Sequence, residues 1–318
     1  MIDSYGRNIN YLRISVTDLC NLKCIYCAPE GINDIAPKNE ILKAEEIELI
    51  AKSFVELGVD KIRITGGEPL VRKDILDIIE RIGKIEGVKD FAITTNGAML
   101  EQYAYELKKS GINRLNISLD TLSSSKYKDI TRGGNLDKVI RGIKKAQEIG
   151  FEYIKINVVL AQGFNDDEIE ALVNLTRDNY IDVRFIELMP IGEAKGWALG
   201  KFVSNKIVLE KVKDLKAVIS EDKTSPAKYY KLDGGKGRVG LISPISCKFC
   251  ENCNRVRVTS DGKLKLCLHS NEEIDLKWVL KNQEDLKAVI TKAINKKPET
   301  HSLENGDYIK RNMISIGG

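Results

Sequence analysis

The chain has 318 residues, enough for one large α/β domain plus a smaller unit with a full core. Hydrophobic residues at 42% and charged residues at 30% are ordinary for a soluble globular protein. The net charge of +4 is too small for a bulk nucleic-acid binder, and allows a local basic pocket for an anionic ligand.

In chain order, the first element is an apolar strand at Tyr11–Val16. Directly after it comes Cys20-Asn-Leu-Lys-Cys24-Ile-Tyr-Cys27, the spacing C-x-x-x-C-x-x-C. Three thiolates on one short loop can hold three irons of a four-iron cubane and leave the fourth iron open to a ligand. Most iron–sulfur clusters are closed by four cysteines. The competing metal is zinc, but a structural zinc site wants four protein ligands, typically as C-x-x-C pairs.

A helix follows, with Ile47, Ile50, Ala51 and Phe54 on one face and Gly58 as its stop. Strands are then expected at Lys61–Thr65, Phe91–Thr95, Asn113–Leu119, Tyr153–Leu160 and Asp182–Leu188. Leu136, Ile140 and Ile143 mark another helix face, ending at Gly150. Asn165-Asp-Asp-Glu168 reads as a capping box ahead of Ile169. Six strands alternating with helices predict an α/β fold with a parallel sheet. Eight would close a full barrel, so six predict a partial, open (β/α)6 barrel with ligands at the C-terminal ends of its strands.

Several residues along these strands carry chemistry. Gly66-Gly67 ends the second strand, where glycine lets backbone approach a ligand. Lys61 and Arg63 share one face by the period of two. Lys155 and Arg184 interrupt apolar strands, and a buried cation without a partner is costly. Each could face solvent or pair with a carboxylate; together they predict one anion.

After Leu188 the character changes. Residues 190–202 read as a loop with three glycines, and 205–218 as a helix. The polar stretch 221–236 is the expected boundary between a barrel at 1–220 and a C-terminal region at 221–318 that covers the open side. Short strands are expected at 237–243, 255–260 and 263–266, with an Asp261-Gly262 hairpin turn. Helices are expected near 275–280 and 284–295. Lys292–Lys297 reads as a solvated face.

The other four cysteines are Cys247, Cys250, Cys253 and Cys267. An odd total of seven with metal-like spacing argues against a disulfide framework. No secretory signal is visible and no apolar run is long enough to span a bilayer. A cytoplasmic, reducing location is therefore expected, without membrane or nucleic-acid partners. Cys250-x-x-Cys253, thirteen residues and Cys267 could form a zinc ribbon with Cys247 or His269. The flanking Arg255-Val256-Arg257 puts two cations on one strand face beside the metal, where guanidinium forks suit phosphates and guanine edges.

These motifs, with Lys61-Ile-Arg-Ile-Thr-Gly-Gly-Glu-Pro69, Phe185-Ile-Glu-Leu-Met-Pro190 and the terminal Gly317-Gly318, resemble the GTP 3′,8-cyclase (MoaA) family. These are radical S-adenosylmethionine (SAM) enzymes of molybdenum cofactor biosynthesis. The likeness runs essentially end to end. The first cysteine set and the Gly-Gly-Glu-Pro run alone indicate only a radical SAM enzyme; the arginine-flanked second set and the Gly-Gly tail make it specific.

The resemblance implies two 4Fe-4S clusters, on Cys20, Cys24 and Cys27 and on Cys250, Cys253 and Cys267. It implies that SAM, cleaved by one electron, yields a radical that takes hydrogen from the ribose C3′ of GTP, whose carbon radical attacks C8. SAM contacts would map to Tyr26, Gly67, Ser118 and Met189. GTP contacts would map to Arg13, Arg63, Thr94, Lys155 and Arg255, Val256 and Arg257, with Lys61 and Arg184 completing a triphosphate cage. Gly317 and Gly318 would enter the site and bring Arg13 and the ribose into working geometry. The implied partners are a ferredoxin- or flavodoxin-type electron donor and a downstream cyclic pyranopterin monophosphate synthase. The enzyme would be a monomer or a homodimer.

Cys247 departs from the family pattern. It is either a spare thiol or a fourth ligand that would close the second cluster. The competing activity is a radical SAM peptide-modifying enzyme with an auxiliary cluster, though such enzymes usually carry more C-terminal cysteines and need no arginine pair.

Overall fold

The computed structural model describes residues 1–28, 37, 39–219, 222–303, 306 and 308–317. Gly318 therefore lies outside the described residues. Six strands pair in parallel and in sequence order: β1 (Tyr11–Ser15), β2 (Lys61–Thr65), β3 (Asp90–Thr95), β4 (Arg114–Ser118), β5 (Tyr153–Leu160) and β6 (Ile181–Glu187). Each crossover carries helix, as parallel pairing requires. These are α1 (Ala44–Glu56), α2 (Ile75–Gly83), α3 (Leu100–Lys109), α4 (Ser124–Thr131) with α5 (Leu136–Glu148), and α6 (Ile169–Asn174).

α1, α5 and α6 form where the apolar period predicts them. Ile47, Ile50, Ala51 and Phe54 bury the inner face of α1. Gly58 turns the chain back at φ 98°, a conformation that favours glycine. Asn135 caps α5 by accepting from the Lys138 amide. The expected capping box at 165–168 is absent: Glu168 sits at the N-cap with no side-chain cap bond. The Asn165 side chain instead accepts from the Ala161 amide and donates to the Asp120 and Val159 carbonyls, tying β4 to β5.

The C-terminal region is woven into the same sheet. After α7 (Lys195–Gly200) and α8 (Lys206–Lys211) come β7 (Lys216–Val218), β8 (Ala227–Lys231), β9 (Val239–Ile242), β10 (Arg255–Val258), β11 (Lys263–Lys265) and β12 (Ile274–Asp275). Helices α9 (Leu276–Lys281), α10 (Leu286–Ile294) and α11 (Met313–Ile316) complete the chain. β10 joins the free edge of β1 in parallel, and β9 joins the free edge of β6 in parallel. Antiparallel hairpins then finish both sides, in the order β12-β11-β10-β1-β2-β3-β4-β5-β6-β9-β8-β7. The barrel is open, as six strands predict; the added strands widen it without closing it.

Four local expectations are corrected. The stretch 190–202 contains a 3-10 turn at Gly192–Ala194 and α7, not only loop. The helix expected at 205–218 ends at Lys211, and 216–218 is strand. The polar stretch 221–236 holds β8, where Ala227 and Tyr229 are buried at the strand period beside β9. Lys297 is not solvated: it is 2% exposed and donates to the Arg255 carbonyl at 3.0 Å and to the Leu266 carbonyl. The outer face of the sheet packs its apolar residues against the helices in one core, leaving the inner face to polar residues.

A two-ended basic cavity

The inner face of the open barrel encloses a cavity of about 690 Å³. Six of the seven cysteines line it; Cys247 does not. The first cysteine group follows the C-terminal end of β1. Cys250 and Cys253 precede the N-terminal end of β10, which runs parallel to β1 with Tyr11 level with Arg255. Cys267 follows β11, which runs antiparallel to β10 and so returns to that same edge. The two groups therefore face each other along the strands, separated by at least the rise of four residues, about 13 Å. The expectation of ligands at the C-terminal strand ends holds for the first group only.

The first loop is seated by backbone contact. The Gly67 amide donates to the Thr17 carbonyl at 2.6 Å, and the Glu68 amide to the Leu19 carbonyl at 2.8 Å. A Cβ on Gly67 would stand 2.4 Å from the Leu19 carbonyl oxygen. These glycines thus let the cysteine loop lie against the end of β2, and both still line the cavity. Glu68 is fully buried and clamps the neighbouring strand end through Thr95 and the Asn96 amide. Burial raises its pKa to about 7.

Tyr26, between the cysteines, donates to Asp120 at 2.6 Å, and Asp120 also accepts from the Val159 amide at 2.8 Å. The ring stacks on Trp197 of α7 with centroids 6.3 Å apart. Burial pushes the Cys27 thiol up to about 12, with Cys20 and Asp120 adding to it. Such a thiol becomes a thiolate with a metal cation beside it, so the donor set fits iron–sulfur ligation. Among the described residues no three acidic, His or Cys side chains are grouped around a single-ion position; cysteines of a cubane would each hold a separate iron.

The second loop is anchored by residues far away in sequence. The Arg7 guanidinium donates to the Cys250 carbonyl at 3.0 Å and the Pro298 carbonyl at 2.8 Å, and pairs with Asp3 at 2.7 Å. Burial raises the Cys253 thiol, but Lys297 and Arg255 outweigh it and hold its pKa below the usual range. Cys247 is exposed, with the Lys228 ammonium donating to its sulfur at 3.2 Å. His269 and His301 pack edge to face at 4.9 Å on the cavity wall near Cys267.

Between the cysteine groups lie the cations. Arg257, Arg13 and Arg63 stand level on the adjacent strands β10, β1 and β2, each about 4.8 Å from the next. Like charges directly opposite repel. Burial, together with Arg257 and Arg63, holds Arg13 well below its ordinary pKa. Burial likewise lowers Arg63 to about 9, and lowers Lys155, beside Arg184 and Arg114, to about 7. Lys155 has Asp182 at 3.7 Å and Lys61 has Asp222 at 3.5 Å. Arg184 donates to Asn116 at 2.6 Å. Among the described residues the Nε atoms of Arg13, Arg63 and Arg184 and the Thr94 hydroxyl are buried donors with no partner, and the Asn157 amide oxygen is a buried acceptor with none. A polyanionic ligand fits the unmet donors.

Among the described residues, all the sequence-derived site residues line this one cavity except Gly317. Val256 borders it, but its side chain, 1% exposed, packs into the apolar core, so it has only backbone to offer. Gly317 lies beside the cavity: its carbonyl accepts from Arg257, and a Cβ there would meet the Thr65 hydroxyl at 2.3 Å. The stretch before it is the short helix α11. Sequence reasoning missed Tyr11, which shares the Arg13 face by the period of two. It also missed Asp120, Asn157 and Lys297, for which no local signal exists.

Comparisons with known proteins agree with this architecture. The Radical SAM superfamily model matches residues 14–176, and the Molybdenum Cofactor Synthesis C model matches residues 181–303. A Peptoclostridium acidaminophilum protein named GTP 3′,8-cyclase is 58% identical over 320 residues, covering 100% of this chain and 98% of its own. The GTP 3′,8-cyclase of Alkaliphilus oremlandii is 54% identical over 322 residues, covering 100% of both. Among solved structures, Streptococcus suis SuiB bound to S-adenosylmethionine shares the fold, with TM-score 0.61 and 18% identity over 97% of this chain and 78% of that one.

Proposed function

The chain belongs to the GTP 3′,8-cyclase family of radical SAM enzymes, and from that membership we propose that it converts GTP to (8S)-3′,8-cyclo-7,8-dihydroguanosine 5′-triphosphate, the first step toward molybdopterin. The observation that carries this reading is the row Arg257, Arg13 and Arg63 with its unmet buried donors, set between two cysteine groups at opposite ends of one cavity. A wire-like cluster pair needs no such cage; a triphosphate does.

Cys20, Cys24 and Cys27 hold the first 4Fe-4S cluster, and Cys250, Cys253 and Cys267 the second. Bound there, the first cluster and SAM supply one-electron cleavage of SAM and hydrogen abstraction from the ribose C3′. The protein's own part is binding and aim. Tyr26, fixed by Asp120 and Trp197, and Gly67, Ser118 and Met189 form the wall for SAM. The arginine row with Lys61, Lys155 and Arg184 neutralises the phosphates and sets how far the nucleotide reaches toward each end. Thr94 offers a hydroxyl to the nucleotide between them. Gly317 accepts from Arg257, and the tail's part is to bring Arg13 and the ribose into working geometry. The exposure of Cys247 and its contact with Lys228 favour three cysteine ligands at the second cluster.

In this reading residues 1–220 serve SAM, and 221–318 bring the second cluster and the tail. A ferredoxin- or flavodoxin-type donor supplies the electron in the cytoplasm, and cyclic pyranopterin monophosphate synthase takes the product. Among the described residues no helix is long and apolar enough to cross a membrane. The test is anaerobic incubation of the reconstituted enzyme with GTP, SAM and dithionite. The expected products are 5′-deoxyadenosine and a nucleotide bonded between C3′ and C8. Formation of 5′-deoxyadenosine with GTP returned unchanged would overturn the substrate assignment.

A further inference from the structure

Arg13 and Arg63 present buried Nε atoms with no partner among the described residues. Both guanidiniums instead lie over the ring of Tyr11, Arg13 at 5.9 Å and Arg63 at 5.3 Å from its centroid. Tyr11 is one layer down the strands, level with Lys61 and Arg255. Its hydroxyl accepts from the Arg114 guanidinium at 3.1 Å, and Arg114 is pinned by Asp90 at 2.6 and 3.1 Å. The ring is 7% exposed and lines the cavity. One aromatic side chain is thus the common contact of three arginines from β1, β2 and β4.

Guanidiniums on adjacent strands repel, and long side chains lose freedom when held. A ring face attracts both through its quadrupole without using their hydrogen-bond donors. The donors stay free for an anion while the guanidiniums stay in place. Leucine at this position would fill the space and leave the two arginines to splay apart.

We propose that Tyr11 is a positioning residue for the nucleotide, its ring holding Arg13 and Arg63 preset for the phosphates. This rests on the reading of the cavity as a triphosphate site. Charge supports it: burial would raise the Tyr11 phenol, but Arg63, Arg114 and Arg13 outweigh burial and bring it down to about 7. The phenol thereby carries part of the negative charge that the arginine cluster lacks before the nucleotide arrives.

The experiment compares Tyr11→Leu and Tyr11→Phe with wild type as holoenzymes of matched iron content. It measures KM for GTP, kcat, and inhibition by inorganic tripolyphosphate. Tyr11→Leu is expected to raise KM and the tripolyphosphate inhibition constant by about tenfold or more while kcat keeps within about twofold. Tyr11→Phe keeps the ring and is expected to restore both constants to within about threefold of wild type. If the leucine variant cannot be loaded with iron, Tyr11→Met, unbranched and adaptable, carries the same comparison. A ring-less variant that binds tripolyphosphate as wild type does, or a phenylalanine variant no better than it, overturns the inference alone. A wild type that binds neither GTP nor tripolyphosphate overturns the nucleotide reading and the inference with it.

Discussion

Tyr11 stands level with Arg255 across the parallel pair of β1 and β10. That single register fixes the plan of the site. It places the second cysteine group at the start of the strands and the first at their end, and it lines up Arg257 with Arg13 two residues further on. A slip of β10 by one residue would turn Arg255 and Arg257 into the core and Val256 into the cavity.

The ligand sets separate by counting iron. The reconstituted wild type should hold about eight irons per chain, and Cys24→Ala and Cys267→Ala about four each. Cys24→Ala should make no 5′-deoxyadenosine, whereas Cys267→Ala should keep some and lose the cyclised nucleotide. Cys247→Ala should match wild type in iron and product. Loss of four irons in Cys247→Ala, with SAM cleavage intact, would show four thiolates on the second cluster.

Gly317 has φ 82°, and a Cβ there would stand 2.3 Å from the Thr65 hydroxyl and 2.9 Å from the Ser15 Cβ. Gly317→Ala should therefore push the tail off β1 and β2. Product formation is expected to fall on the order of 10²-fold with iron content and GTP affinity kept, since small misplacement is costly in hydrogen abstraction. Deleting Gly317 and Gly318 should act alike. Turnover at the wild-type rate in both would return the tail to a frayed terminus.

Lys155 gives the site a pH dependence. Burial, with Arg184 and Arg114 nearby, lowers its pKa to about 7. Phosphate binds the charged form, so GTP uptake draws a proton onto Lys155. The sign follows: the KM for GTP should be flat below about pH 7 and rise above it, toward a limit set by the pKa in the complex. Lys155→Arg stays charged and should flatten this rise. Slope left near pH 7 belongs to Tyr11, whose phenol ionises in the same range and would repel phosphate, and a rise nearer pH 9 belongs to Arg63. An unchanged profile in both Lys155→Arg and Tyr11→Phe would show that neither group faces the phosphates.

Asp120 should matter to SAM through Tyr26. Asp120→Ala leaves the buried Tyr26 hydroxyl and the Val159 amide without their acceptor. The expected loss of SAM affinity is about 1–3 kcal/mol, roughly five- to 150-fold. Tyr26→Phe in the Asp120→Ala background should recover part of it, because no hydroxyl is then left unpaired. Equal SAM affinity in wild type and Asp120→Ala, measured by anaerobic calorimetry, would remove Tyr26 from the SAM wall.

Much of this molecule was legible in its residues. The apolar periods marked six strands and three of the helices between them, because burial of one face is a local property of the pattern. Cysteine spacing marked both metal groups, since a thiolate ligand set needs those residues at close range. The cations at Lys61, Arg63, Lys155 and Arg184 stood out because an apolar strand does not carry charge without a partner. Asp120 and Lys297 gave no such signal. Their partners, Tyr26 in one case and the carbonyls of Arg255 and Leu266 in the other, lie 94, 42 and 31 residues away.

What the sequence by itself determined is the inventory: six parallel strands, two cysteine groups and a set of cations too costly to bury alone. The tertiary structure decided where they meet. No periodicity announces that β10 adds to β1 in parallel, because edge pairing depends on which strand edges remain free once the barrel has formed. That choice sets the cysteine groups at opposite ends of one cavity and aligns three arginines across it. The packing of Gly66 and Gly67 was decided the same way: the sequence marks a strand end open to close backbone approach, and only the fold shows the cysteine loop's own backbone seated against it.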